Sequence, residues 1–144
     1  MNAAAFPRKF KFQSTDSVIT TLVSLSSETT IRCELEFAYE LDIARCRAAI
    51  KALLEFEPVL KCRLVLNDAP YFQELNIADD ELLMVTTVHA EYEKFKGEKI
   101  NIENGPLFAF GVFLQGGRST LLLKLAHEAA DGFGLGEAIN FVAL

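Results

Sequence analysis

The sequence predicts an α+β fold: a two-layer sandwich with a mixed, mostly antiparallel sheet and helices on one face. Three observations predict it. Ile31, Cys33, Leu35, Phe37 and Tyr39 alternate with Arg32, Glu34, Glu36 and Ala38, the period of a strand buried on one side. Ile43, Cys46, Ile50, Leu53 and Leu54 recur at helical spacing. Two apolar runs, Leu107 to Leu114 and Ser119 to Ala126, flank Gln115-Gly116-Gly117-Arg118, so the Gly-Gly pair closes a hairpin.

The elements follow in order. Residues 1–13 read as a loose arm. Ser14, Thr15 and Asp16 offer N-cap oxygens ahead of Val18, Ile19, Leu22 and Val23, a short helix. After the strand from Ile31 to Tyr39, Asp42 caps the next helix, on which Arg45, Arg47, Lys51 and Glu55 face water, and Pro58 ends it. Val59 to Leu66 and Tyr71 to Leu75 form a hairpin around Asn67, Asp68 and Pro70. Leu82 to Val88 is a further strand, which puts His89 in a solvent-facing turn. A short polar helix follows from about Glu91, closed by Gly97 in a left-handed conformation. The strand STLLLKLA is almost continuously apolar, as expected of a central strand covered on both faces. Beyond it Leu135, Ile139 and Val142 mark a last helix.

Composition bounds the function classes. The 144 residues are 51% hydrophobic and 24% charged, with no low-complexity tract, so one folding unit is expected. A net charge of −6 and the lack of a basic cluster argue against nucleic acid. Cys33, Cys46 and Cys62 are odd in number and lie in apolar stretches, which points to buried thiols in a reducing, cytoplasmic setting. No apolar run reaches the length of a signal-peptide core after the N-terminal charges or of a membrane span. Two histidines without zinc-like spacing give no metal site.

The chemistry concentrates in HEAADG, residues 127–132, between the central strand and the last helix. A histidine titrates near pH 6.5, roughly, and can take a proton from a hydroxyl, amine or thiol and return it. His127 is thus the candidate base. Asp131 suits an organiser of the loop through hydrogen bonds to nearby amides or an arginine, and Gly132 permits a positive φ at the turn into the helix. On the hexapeptide alone, a structural histidine bonded to a loop carbonyl is the better reading. Glu128 is expected to point to solvent, or at a tunnel mouth to meet an acceptor amine. Cys62 beside Arg63 reads as a buried strand residue with no base beside it, and Gly132, Gly134 and Gly136 match a dinucleotide loop poorly.

These residues resemble the superfamily of coenzyme A-dependent acyltransferases typified by chloramphenicol acetyltransferase. It includes the condensation domains of nonribosomal peptide synthetases, the plant alcohol acyltransferases and the bacterial wax ester acyltransferases. LDIARCRAAIKALLEFEPVLKCRLV is similar to that family's first long helix and the following strand, with Pro58, Leu60, Lys61 and Arg63 in corresponding places. ENGPLFAFGVFLQGGRSTLLLKLAHEAADGFGLGEAI is similar to the family's hairpin ending in HxxxDG. The resemblance implies that His127 is the general base, favoured now over the structural reading, with Asp131 and Gly132 structural. Ala126 stands where condensation domains carry a first histidine, as in many single-histidine acyltransferases.

The family fold has two lobes with the active-site tunnel between them, whereas this chain runs only twelve residues past the motif and lacks a DFGWG-type segment. The resemblance therefore implies a single N-terminal lobe over residues 1–144. Its co-substrate would be acyl-coenzyme A or an acyl carrier protein, with no permanently bound cofactor, and its acceptor a small hydroxyl or amine. A second lobe, a partner chain or a homodimer would have to complete the site, and Phe133, Leu135, Ile139, Phe141 and Val142 could face it. The competing reading is a non-catalytic binding or assembly module that keeps the fold.

Overall fold

In the computed structural model of the chain, residues 9–11 and 30–129 are described, residues 10 and 11 by backbone alone. The expected helix after Ser14, the last helix, Asp131 and Gly132 lie outside the described residues. The elements are β1 (Lys9–Lys11), β2 (Thr30–Phe37), α1 (Ile43–Phe56), β3 (Cys62–Val65), β4 (Tyr71–Glu74), β5 (Leu83–Thr86), α2 (His89–Gly97), β6 (Phe108–Gln115) and β7 (Arg118–Ala126). Single 3₁₀ turns, Pro58–Lys61 and Asp79–Leu82, precede β3 and β5.

The strands form two sheets where the sequence suggested one. The larger has the order β2-β7-β6-β5, antiparallel except for the parallel β5–β6 pair, and the smaller has the order β1-β4-β3. Lys9–Lys11, expected to be a loose arm, pair with Tyr71–Gln73 as an edge strand. The β6–β7 turn has φ of 59° at Gly116 and 75° at Gly117, the two positive values that a tight hairpin with matching twist requires.

The Asp42 carboxylate accepts from the amides of Ala44 (3.0 Å) and Arg45 (3.3 Å), the predicted cap of α1. Cys46, Ile50, Leu53 and Leu54 of α1 then pack on Phe108, Phe110, Val112, Leu121, Leu123 and Leu125, the main core. Pro58 ends α1 as expected, but it opens a 3₁₀ turn, so β3 starts only at Cys62. The β7 strand is buried on both faces from Leu121 to Ala126, as its composition predicted.

The second face of the large sheet is covered by α2, so the two described α-helices lie on opposite faces and not on one. Tyr92 packs with Phe113 and Leu122, and the Phe95 ring reaches Gly111, where a Cβ would stand 2.7 Å from it. The physical reason is polar. Arg32, expected to face water, donates from Nε to the Lys96 carbonyl (2.6 Å), and Lys124 donates from Nζ to the carbonyls of Phe95 (2.5 Å) and Glu98 (3.0 Å). These strand neighbours bring two cations to the carbonyl end of α2, where the helix dipole favours positive charge. With its carbonyls satisfied from the sheet, the helix ends without a left-handed glycine, and Gly97 keeps a negative φ.

Glu34, also expected in water, accepts from the Tyr92 hydroxyl and from Lys96 Nζ (3.1 Å). The Tyr92 bond, then Lys96, holds its carboxyl below the ordinary value of 4.5, against partial burial. Burial and then Glu34 push the Tyr92 phenol far above its ordinary range. Because the folded Glu34 pKa lies below the unfolded one, its stabilisation is present above about pH 4.5 and lost as pH falls through the folded value. Tyr92 has the opposite sign: its contribution is present below about pH 10 and lost as alkali ionises the folded phenol. Urea unfolding of Glu34→Gln is expected to show a shallower loss of stability between about pH 5 and pH 3 than the parent chain. Equal slopes would mean that Glu34 does not couple to folding.

Candidate functional site

His127 follows the last residue of β7. Two backbone bonds fix its place: the Ala126 amide donates to the Leu107 carbonyl (2.8 Å), and the Ala129 amide donates to the Ala126 carbonyl (3.1 Å). His127 and Glu128 are therefore the central residues of a tight turn, both with negative φ. The Leu107 amide in turn donates to the Leu60 carbonyl (3.1 Å), so the 3₁₀ turn ahead of β3 and the end of β7 are tied through one residue. Around this junction Cys62, Leu64, Phe72, Leu107 and Ala126 form a second apolar cluster, with Ala129 packed against it.

The approach of the 100–107 segment to β3 depends on Gly105. Its φ is +60°, and a Cβ there would stand 2.5 Å from the Cys62 carbonyl oxygen. The Leu64 amide donates to the Ile102 carbonyl (2.7 Å), and the Arg63 guanidinium bonds Gln73 (2.9 Å). Cys62 is fully buried, with its thiol directed at the Pro58 carbonyl (3.4 Å), which fits the packing role read from sequence. The three cysteines are free thiols, Cys33 half-buried and the other two buried.

The imidazole of His127 is half-buried. Its Nδ1 is shielded from solvent and has no hydrogen-bond partner among the described residues, so the bond to a loop carbonyl that a structural histidine would make through this atom is missing there. Glu128 corrects the sequence reading: it is 2% exposed rather than directed at solvent or an acceptor. A buried carboxylate beside the histidine gave no signal in the sequence. His89 is the first residue of α2, not a turn residue, and lies exposed 3.4 Å from Glu93. No cluster of three or more metal-ligating side chains occurs among the described residues, and no described helix is long and apolar enough to cross a membrane.

No family model and no curated protein matches the sequence. Solved structures do. A starter condensation domain of rhizomide synthetase RzmA, a mutant in complex with C8-CoA, superposes with a TM-score of 0.74 at 15% identity, over 94% of this chain and 34% of its own. A second mutant of that domain, with C8-CoA and Leu-SNAC, gives 0.74 at 14% identity over the same shares. The first condensation domain of the calcium-dependent antibiotic synthetase, with a substrate analogue, gives 0.73 at 16% identity, over 94% of this chain and 38% of its own. The chain spans about a third of the length of these proteins, and over that span its fold is the fold of these condensation domains.

Proposed function

We propose that this chain is the N-terminal lobe of an acyltransferase that moves an acyl group from a coenzyme A or carrier-protein thioester to a hydroxyl or amine. The observation that carries the reading is the position of His127. It stands at the end of the buried central strand β7, placed by the backbone bonds of Ala126 and Ala129, in a fold shared with domains crystallised with an acyl-CoA.

In the proposed reaction Nδ1 stays shielded, and Nε2 takes the proton of the acceptor as that atom attacks the thioester carbonyl. The tetrahedral intermediate collapses, the thiolate leaves, and the imidazolium returns a proton to it. Asp131 and Gly132 hold the loop that follows. A second lobe, from a longer chain, a partner or another copy, would supply oxyanion stabilisation and the rest of the donor channel. The test is acyl transfer by a two-lobed form carrying this chain, with and without the His127 imidazole. Turnover that depends on the imidazole supports the reading, and turnover indifferent to it overturns the reading.

A further inference from the structure

At the other end of β7 a cleft of about 300 Å³ opens on the large sheet, lined by Glu36, Phe37, Phe113, Gln115, Arg118 and Thr120 among others. Thr120 and His127 are seven residues apart along an extended chain, roughly 23 Å, so the cleft is separate from the proposed acyl-transfer site. Glu36 pairs in register with Thr120, Thr120 with Phe113, and Arg118 with Gln115. All five residues therefore lie on the sheet face that α2 covers. The cleft is the part of that face left open beyond Phe113, whose ring stacks on Tyr92 at 5.2 Å.

Two opposite charges flank this opening. Arg118 is two residues along β7 from the partner of Glu36, a diagonal of roughly 7–8 Å between the backbones, well within reach of both side chains. Yet Glu36 and Arg118 form no ion pair with each other, and neither has a side-chain partner among the described residues. A cleft with one carboxylate, one guanidinium, a hydroxyl, an amide and an aromatic wall complements a small molecule with both signs of charge and an apolar group.

We propose that it binds a free α-amino acid with an apolar side chain. The ligand carboxylate would meet Arg118, its ammonium Glu36, and its side chain the Phe113 wall. Peptides are excluded by the same chemistry, because only a free amino acid carries both charges on one carbon.

The test is titration of this chain with L-phenylalanine, N-acetyl-L-phenylalanine and L-phenylalaninamide, followed by the amide NMR shifts of residues 113–120. The free amino acid is expected to shift these resonances, and each derivative to bind more weakly by up to about fivefold, the upper end for an exposed ion pair. Arg118→Gln should abolish discrimination against the amide derivative, and Glu36→Gln discrimination against the acetyl derivative. Unchanged resonances elsewhere report that both surface variants remain folded. No shift at about 20 mM amino acid, which sets the dissociation constant beyond any millimolar site, overturns the proposal. So does equal binding of the three compounds, or a charge preference that survives both substitutions.

Discussion

Replacing His127 with alanine is expected to lower the turnover of a two-lobed form by about 10²–10⁴-fold, the usual contribution of a positioned general base. That corresponds to about 2.7–5.5 kcal/mol of barrier. Folding should survive the change, because the bonds that fix this position run through the backbones of Leu107, Ala126 and Ala129, and Nδ1 bonds to none of the described residues. Loss of a half-buried imidazole costs about 1 kcal/mol or less of stability in such a setting. Removing His89 from its exposed site on α2 provides the control and should leave turnover unchanged. Equal turnover of the His127 and His89 variants would remove His127 from the chemistry.

Gly105→Ala is expected to cost about 2–5 kcal/mol of folding stability, the sum of a left-handed backbone imposed on a side-chain residue and a displaced main chain. The second contribution is the larger in consequence, since the contact is with the Cys62 backbone carbonyl, which cannot swing aside as a flexible side chain would. Gly116 isolates it. Its φ of +59° nearly equals that of Gly105, but a Cβ there meets nothing within 4 Å, so Gly116→Ala should cost only the backbone part, about 1–2 kcal/mol. The two are compared by urea unfolding midpoints. A Gly105 variant as stable as the Gly116 variant would show that the 100–107 segment can retreat freely from β3. Should it retreat, the Leu60–Leu107–Ala126 connection would loosen, and the His127 turn with it.

Much of this fold was legible because some residues have only one good use. Asp42 ahead of an amphipathic run caps α1, Gly116 with Gly117 closes a tight hairpin, and a strand without a polar face must be central. What escaped sequence reasoning was governed by tertiary polar contacts. HAEYEKFKG has few apolar residues, and nothing in it announces that Arg32 and Lys124 will hold its carbonyl end on a face that alternation assigns to solvent. The separate small sheet was hidden for a related reason: local hairpin signals do not say which neighbour a hairpin joins. His127 was placed correctly at the strand end, because position along a chain survives errors about faces. The burial of Glu128 was missed, since a turn has no periodicity from which to read which side chains are covered.

One consequence of the composition of β7 concerns alignment. A strand with leucines at three consecutive positions cannot use hydrophobicity to tell its two sides apart, and a slip of one residue against β2 would exchange one set of leucines for another at little cost. Two polar residues on opposite sides break that degeneracy. Ser119 accepts from the Leu41 amide at one end, and Lys124 spans the Phe95 and Glu98 carbonyls near the other. After a slip, the ammonium group would enter the leucine core and the hydroxyl would lose its partners. Lys124 thus acts as a ruler as well as a clasp: three residues before His127, it sets which way the strand leaves the sheet and so on which side the histidine emerges.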